Sequence, residues 1–156
     1  HINDTYGHEA GDIVLKAVSH LLKESIGPFD WVVRWGGGEF LILCRQSQRA
    51  KILSFANELR HKIADELIDI GQHQIHATCS IGIVAYPFLT PQPRLLSWQQ
   101  TLNIVDIALY KAKHSGRNVC YFIQATGQLQ STTLYDMIRD DLDKCIEREL
   151  VTLQCV

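Results

Sequence analysis

Apolar residues recur every three or four positions along several stretches of this chain and alternate or run together along shorter ones. From Asp12 to Ser25, Ile13, Val14, Ala17, Val18, Leu21 and Leu22 share one face. That spacing predicts an amphipathic helix, with Asp12 as its cap and Gly27-Pro28 just past its end. A second helix is expected over Ser47–Leu67, with Ile52, Leu53, Phe55, Ala56, Leu59, Ile63 and Leu67 turned inward. A third is expected over Trp98–His114, carrying Leu102, Val105, Ala108, Leu109 and Ala112 and closed by Gly116 at the C′ position. Thr132–Glu147 reads as a fourth.

The shorter runs read as strands: Asp30–Trp35, Phe40–Cys44, the alternating Gln74–Val84, Val119–Ile123 and Leu150–Val156. His1–Gly11 and Pro87–Pro93 read as loops, and Gln124–Gln130 as a polar linker. The order is helix, hairpin, helix, strand, helix, strand. It implies an α/β (α+β) fold in which helices cover a central, mainly antiparallel sheet. The first helix has no strand before it to pack on.

Composition narrows the classes. The 156 residues are 46% hydrophobic and 21% charged, with a formal net charge of -2, which suits one packed domain with a short extension. That balance gives no bulk attraction to nucleic acid or anionic membranes, and no apolar run reaches the roughly 20 residues a membrane span needs. The five cysteines are scattered without a C-x-x-C pair, and the expectation is a reduced, cytoplasmic protein. The seven histidines show no metal-ligand spacing supported by a third ligand.

Three places carry possible chemistry. Gly36-Gly37-Gly38 joins two strands and is followed by Glu39. A turn without side chains serves a tight hairpin, and it also lets a backbone approach a phosphate closely. Asn3 and Asp12 offer a donor and acceptors that match a guanine edge, and they equally suit a turn residue and a helix cap. Lys111, Lys113 and Arg117 cluster at the end of the third predicted helix, where cations hold phosphates or complement the helix dipole.

Four blocks in order carry a resemblance: Ile2-Asn3-Asp4-Thr5-Tyr6-Gly7-His8-Glu9-Ala10-Gly11-Asp12, Arg34-Trp35-Gly36-Gly37-Gly38-Glu39-Phe40, Ser80-Ile81-Gly82-Ile83, and Asp106–Asn118. Together they resemble the bacterial GGDEF domain, the diguanylate cyclase family, over positions 1–123. The resemblance implies a nucleotide-cyclase-like sheet wrapped by helices. It implies two domains facing each other, each with one GTP, and attack of each 3′-hydroxyl on the other's α-phosphate. The products would be cyclic di-GMP and pyrophosphate, with two metal ions, usually Mg2+, held by carboxylates. By position Asn3 and Asp12 would read guanine, Lys113 and Arg117 would hold the terminal phosphates, Gly36-Gly37 would lie against the phosphates, and Glu39 would be the catalytic metal ligand.

The chain departs from this pattern in three ways. Gly38 stands where the family has an Asp or Glu that binds metal. The family's strand before Ile2, with its own metal-binding Asp, has no counterpart in a sequence that opens at His1, so a fragment of a longer GGDEF or GGDEF–EAL protein is expected. The family's Arg-x-x-Asp product site retains Asp30 but has Gly27 at the Arg position, and no product inhibition is expected there. After the linker, residues 131–156 resemble the opening of an EAL domain, and a plain capping helix fits them as well.

The reading is therefore a catalytically degenerate GGDEF module that binds GTP and regulates a neighbour. An active cyclase and a nucleotide-free dimerisation module are the alternatives. The implied partners are a second copy or an adjoining EAL or sensor domain.

Overall fold

A computed structural model of the chain describes residues 2–45 and 48–156. Its contacts divide into two units, residues 1–79 and 80–156.

The first unit opens with two helices where the sequence suggests a loop. Gly7, at φ 86°, separates α1 (Ile2–Tyr6) from α2 (His8–Ser25). Asp12 therefore lies one turn inside α2 and does not cap it. The polar residues of this segment hide a helix because α1 buries little and needs few apolar positions; Ile2 alone packs against the Val14, Ile68 and Ala77 cluster. Past the hairpin comes α3 (Arg49–Asp65), which buries Leu53, Ala56, Leu59 and Ile63 at helical spacing. Its expected start at Ser47 falls outside the described residues. Its expected end at Leu67 does not hold: the helix stops two residues earlier and Leu67 is 52% exposed.

The hairpin pairs β1 (Trp31–Gly36) with β2 (Glu39–Leu43) in antiparallel register, Trp31 opposite Leu43 and Arg34 opposite Phe40. Val32, Phe40 and Ile42 pack against Leu21, Leu22, Leu59 and Ile63 of the two long helices. Trp31, Val33 and Trp35 alternate with them and stay largely exposed. A second antiparallel pair, β3 (Ile68–Asp69) with β4 (Gln74–Ile75), turns through Gly71.

The expected strand Gln74–Val84 is thus two strands, β4 and, in the second unit, β5 (Ile81–Val84). The alternation is genuine but serves separate cores, since Ile75 and Ala77 pack with Val14 and Ile68 while β5 pairs elsewhere.

In the second unit β5 runs parallel to β6 (Cys120–Ala125), and α4 (Trp98–His114) makes the crossover that parallel pairing requires. Ser97 and Gln100 form a reciprocal capping box at the start of α4. At its other end Ser115 is the C-cap and Gly116, at φ 99°, follows. Strand β6 extends two residues into the expected linker. The expected single helix over Thr132–Glu147 is broken: α5 (Thr133–Asp140) stops where Asp141 turns extended, and the Asp141 side chain caps α6 (Leu142–Glu147) by accepting from Lys144 N. Strand β7 (Val151–Cys155) then pairs antiparallel with β6. Leu134, Ile138, Cys145 and Val151 join Ile104, Ala108 and Ile123 in one core.

The molecule is a mixed α/β protein, and three of the four strand pairings described are antiparallel. The expected mainly antiparallel sheet structure is present as three small sheets, of two, two and three strands. Each hairpin of the first unit pairs only with itself among the described residues, so the backbone hydrogen bonds that define one sheet do not connect them. None of the described helices is long and apolar enough to cross a membrane.

Candidate functional site

The glycine turn is built by its flanking strands. Register shifts between Arg34 and Gly36, leaving Trp35 as a bulge, and Gly36 pairs with Glu39 across the two-residue turn. Gly37 adopts φ 47°, the left-handed conformation that a residue with a side chain enters only at a cost. Arg34 clamps the turn: its Nε and Nη2 both donate to Gly37 O, at 3.0 and 2.8 Å. This fork was not legible in the sequence, where Arg34 is separated from the glycines by Trp35.

Gly36, Gly37, Gly38 and Glu39 are all exposed. A Cβ at Gly36 would meet nothing within 4 Å, and one at Gly38 would meet only Leu15 Cδ2, at 3.9 Å. The loop thus presents a bare backbone, with Glu39 the one carboxylate in its turn. Among the described residues no three His, Cys, Asp or Glu side chains converge where a metal ion could be held. A hard cation such as Mg2+ takes about six oxygen ligands, and even with waters and phosphates it is bound through one or two protein carboxylates. Glu39 is the single protein carboxylate that the turn itself offers to such a cation.

Asn3 and Asp12 also belong to the first unit. Asn3 lies on α1 with its side chain folded over Gly11 of α2, next to Asp12 in the chain. Asn3 Nδ2 approaches His8 Nδ1 at 3.4 Å. Both Asn3 and Asp12 are exposed.

Lys113 and Arg117 belong to the second unit. Lys113 sits in the last turn of α4. Arg117 follows Gly116, and Gly116, Arg117 and Asn118 take φ 99°, 60° and 50° in succession. Left-handed backbone costs roughly 1–2 kcal/mol at a residue with a Cβ. Two hydrogen bonds hold the turn in place: Arg117 N donates to Ala112 O at 3.2 Å, and Asn118 N donates to Ser80 Oγ at 3.2 Å. Strain concentrated on an exposed arginine at a helix end is a feature of ligand sites. Lys111, the remaining cation of the cluster, is engaged by Asp143 of α6 at 2.6 Å.

Asp30 has a structural task. Its carboxylate accepts from Gly27 N at 3.0 Å and from Arg45 N at 2.9 Å, closing the loop ahead of β1 and tying it to the end of β2. A side chain at Gly27 would begin 3.1 Å from Asp30 Oδ2. The same carboxylate, after burial, pushes the neighbouring Cys44 thiol up to about 11, so Cys44 stays protonated and unreactive at neutral pH. Asp30→Ala leaves two backbone donors without their acceptor. It is expected to destabilise the fold by about 1–3 kcal/mol, read as a lower urea midpoint.

A family model described as "Diguanylate cyclase, GGDEF domain" matches residues 1–119. The chain is 35% identical over 117 residues to diguanylate cyclase A of Treponema denticola, covering 75% of this chain and 30% of that protein. It is 32% identical over 140 residues to the bifunctional diguanylate cyclase/cyclic di-GMP phosphodiesterase MucR of Pseudomonas aeruginosa, covering 87% of this chain and 20% of that protein. Its fold is similar to the structure of the active GGEEF domain of a diguanylate cyclase from Vibrio cholerae, with a TM-score of 0.60 and 27% identity, covering 78% of this chain and 73% of that one. The chain therefore spans about a third or less of the length of the two curated relatives.

Proposed function

This chain belongs to the GGDEF-domain family of diguanylate cyclases, and from that membership we propose that it is a degenerate, GTP-binding module of cyclic di-GMP signalling. The observation that carries the proposal is Gly38. The V. cholerae relative described as active has a GGEEF signature, whereas this turn reads Gly36-Gly37-Gly38-Glu39-Phe40. A glycine offers no oxygen to a metal, and metal assistance stabilises transition states by several kcal/mol in such transfers. In this reading Mg2+ binding is impaired and Glu39 remains as the single signature carboxylate. The nucleotide positions are retained: Asn3 and Asp12 for guanine, Gly36-Gly37 for close approach to phosphate, Lys113 and Arg117 for the terminal phosphates.

Residues 1–123 form the GGDEF domain in this proposal, 124–130 a linker, and 131–156 the opening of a following domain of EAL type. The similarity to MucR supports the last point. It covers 87% of this chain, more than the 119 residues matched by the family model, and so runs into the tail. A second copy or an adjoining EAL or sensor domain is the partner through which nucleotide occupancy acts.

The test is a GTP titration of the full-length protein in Mg2+, followed by chromatography of the products. Saturable GTP binding without cyclic di-GMP is expected. Cyclic di-GMP formation that disappears in Glu39→Ala defeats the degenerate reading and establishes an active cyclase. Absence of any GTP binding defeats the nucleotide reading as a whole.

A further inference from the structure

Helix α2 carries a glycine in its second turn, Gly11, and that glycine is buried. Glycine inside a helix is unfavourable relative to alanine, so helix formation alone argues against it. The reason for it lies on α1. A Cβ added at Gly11 would overlap Asn3 Oδ1, and Asn3 Cγ would lie 2.9 Å away. Outside the adjacent residues and backbone of α2 itself, the three nearest atoms to that position all belong to the Asn3 amide. The absent side chain is therefore a seat occupied by Asn3. His8, between the two in sequence, faces the other end of the same amide, with Nδ1 3.4 Å from Asn3 Nδ2. The amide is held at its oxygen end by a gap in α2 and met at its nitrogen end by a ring from the first turn of α2.

We propose that Gly11 is a specificity-positioning residue: its missing side chain seats the Asn3 amide beside Asp12, in the orientation that reads guanine. This rests on the assignment of Asn3 to guanine made above. Gly11 itself touches no ligand. The overlapping atom is the far end of a flexible side chain, so Gly11→Ala is accommodated by Asn3 swinging away and the fold survives. What the substitution removes is the position of Asn3.

The experiment compares the full-length wild type, Gly11→Ala, Asn3→Ala and the double variant, by titration with GTP and ATP and by thermal melting. Gly11→Ala is expected to weaken GTP binding about tenfold, as Asn3→Ala does, and to reduce the preference for GTP over ATP. The double variant is expected to bind no worse than Asn3→Ala alone, because the two changes remove one contact. The melting temperature supplies a readout free of nucleotide. Alanine at position 11 is expected to raise it more in the Asn3→Ala background, where the seat is empty, than in the wild type.

Wild-type GTP affinity in Gly11→Ala, or losses that multiply in the double variant, overturn the proposal. Equal melting shifts in the two backgrounds overturn the seat itself. If Asn3→Ala leaves GTP binding intact, the guanine assignment fails and the specificity role of Gly11 fails with it, while the melting comparison still decides whether Gly11 seats Asn3.

Discussion

Gly38→Asp is expected to raise cyclic di-GMP synthesis by the full-length protein by at least about 100-fold, from a level near background. Metal assistance contributes several kcal/mol to such transfers, and each 1.36 kcal/mol is a factor of ten in rate, so one restored ligand of moderate quality suffices for that gain. The geometry admits the side chain. Gly38 does not share the left-handed backbone of Gly37, and its Cβ would meet only Leu15 Cδ2, at the ordinary contact distance of 3.9 Å. The new carboxylate would stand beside Glu39 in the chain, and two adjacent anions repel unless a cation lies between them. The variant is therefore also expected to gain thermal stability on addition of Mg2+, which the wild type does not. Gly37→Asp provides the contrast: at φ 47° it strains the turn, and no gain is expected. Unchanged synthesis in Gly38→Asp, with the Mg2+ response also absent, defeats the claim that this one side chain is what the loop lacks.

The departures at Gly38 and Gly27 were legible in the sequence because they concern which atoms exist. A missing carboxylate at Gly38 and a missing arginine at Gly27 are facts of composition that no fold can restore. The long helices were equally readable: Leu53, Ala56, Leu59 and Ile63 recur at helical spacing and are buried. Legibility fails where burial and pattern part company. Trp31, Val33 and Trp35 are apolar residues of a correctly predicted strand, yet they are 67%, 46% and 54% exposed, because residues in a strand alternate faces whether or not both faces are covered. Helix α1 is invisible to periodicity since its residues are mostly exposed and polar; only Gly7, as a boundary between two helices, marks it. Asp141 looks like one more polar position on a continuous helix. Its role as a cap depends on an extended backbone that spacing cannot reveal.

The site divides along the same line. Residue identities gave the candidates, but not what holds them. The fork of Arg34 on Gly37 O, the grip of Asp30 on two backbone amides and the seat of Asn3 at Gly11 are contacts between segments. Arg117 shows the difference most clearly. Its charge suggests phosphate, whereas its left-handed backbone, between Gly116 and Asn118, is a cost known only from the structure.

The largest loss of stability is expected from Gly82→Ala. Strand β5 lies so close to α4 that a Cβ at Gly82 would fall 2.5 Å from Leu109 N, 2.6 Å from Val105 O and 3.0 Å from Leu109 Cα. These are backbone atoms of a helix and cannot rotate away as a side chain can. Nor can α4 step back freely, since Ile104, Ala108 and Ala112 on it are fully buried. Overpacking of this kind costs about 1–3 kcal/mol and sometimes more, and a clash with backbone belongs at the upper end. The entropy gained by replacing glycine in the unfolded chain, about 0.4–1 kcal/mol, offsets only part of it. The urea midpoint is expected to fall with its slope unchanged, whereas Gly36→Ala, in open space, leaves the midpoint where it is. The same displacement carries a functional consequence. Helix α4 bears Lys113 and leads into the strained turn at Arg117, and Asn118 N is bonded to Ser80 just ahead of β5. Gly82→Ala is therefore expected to weaken GTP binding at a temperature where the variant is still folded, although Gly82 carries no group that could touch a nucleotide. An unshifted midpoint would mean that β5 and α4 relax apart at no cost, and would remove this account of why the strand requires a glycine.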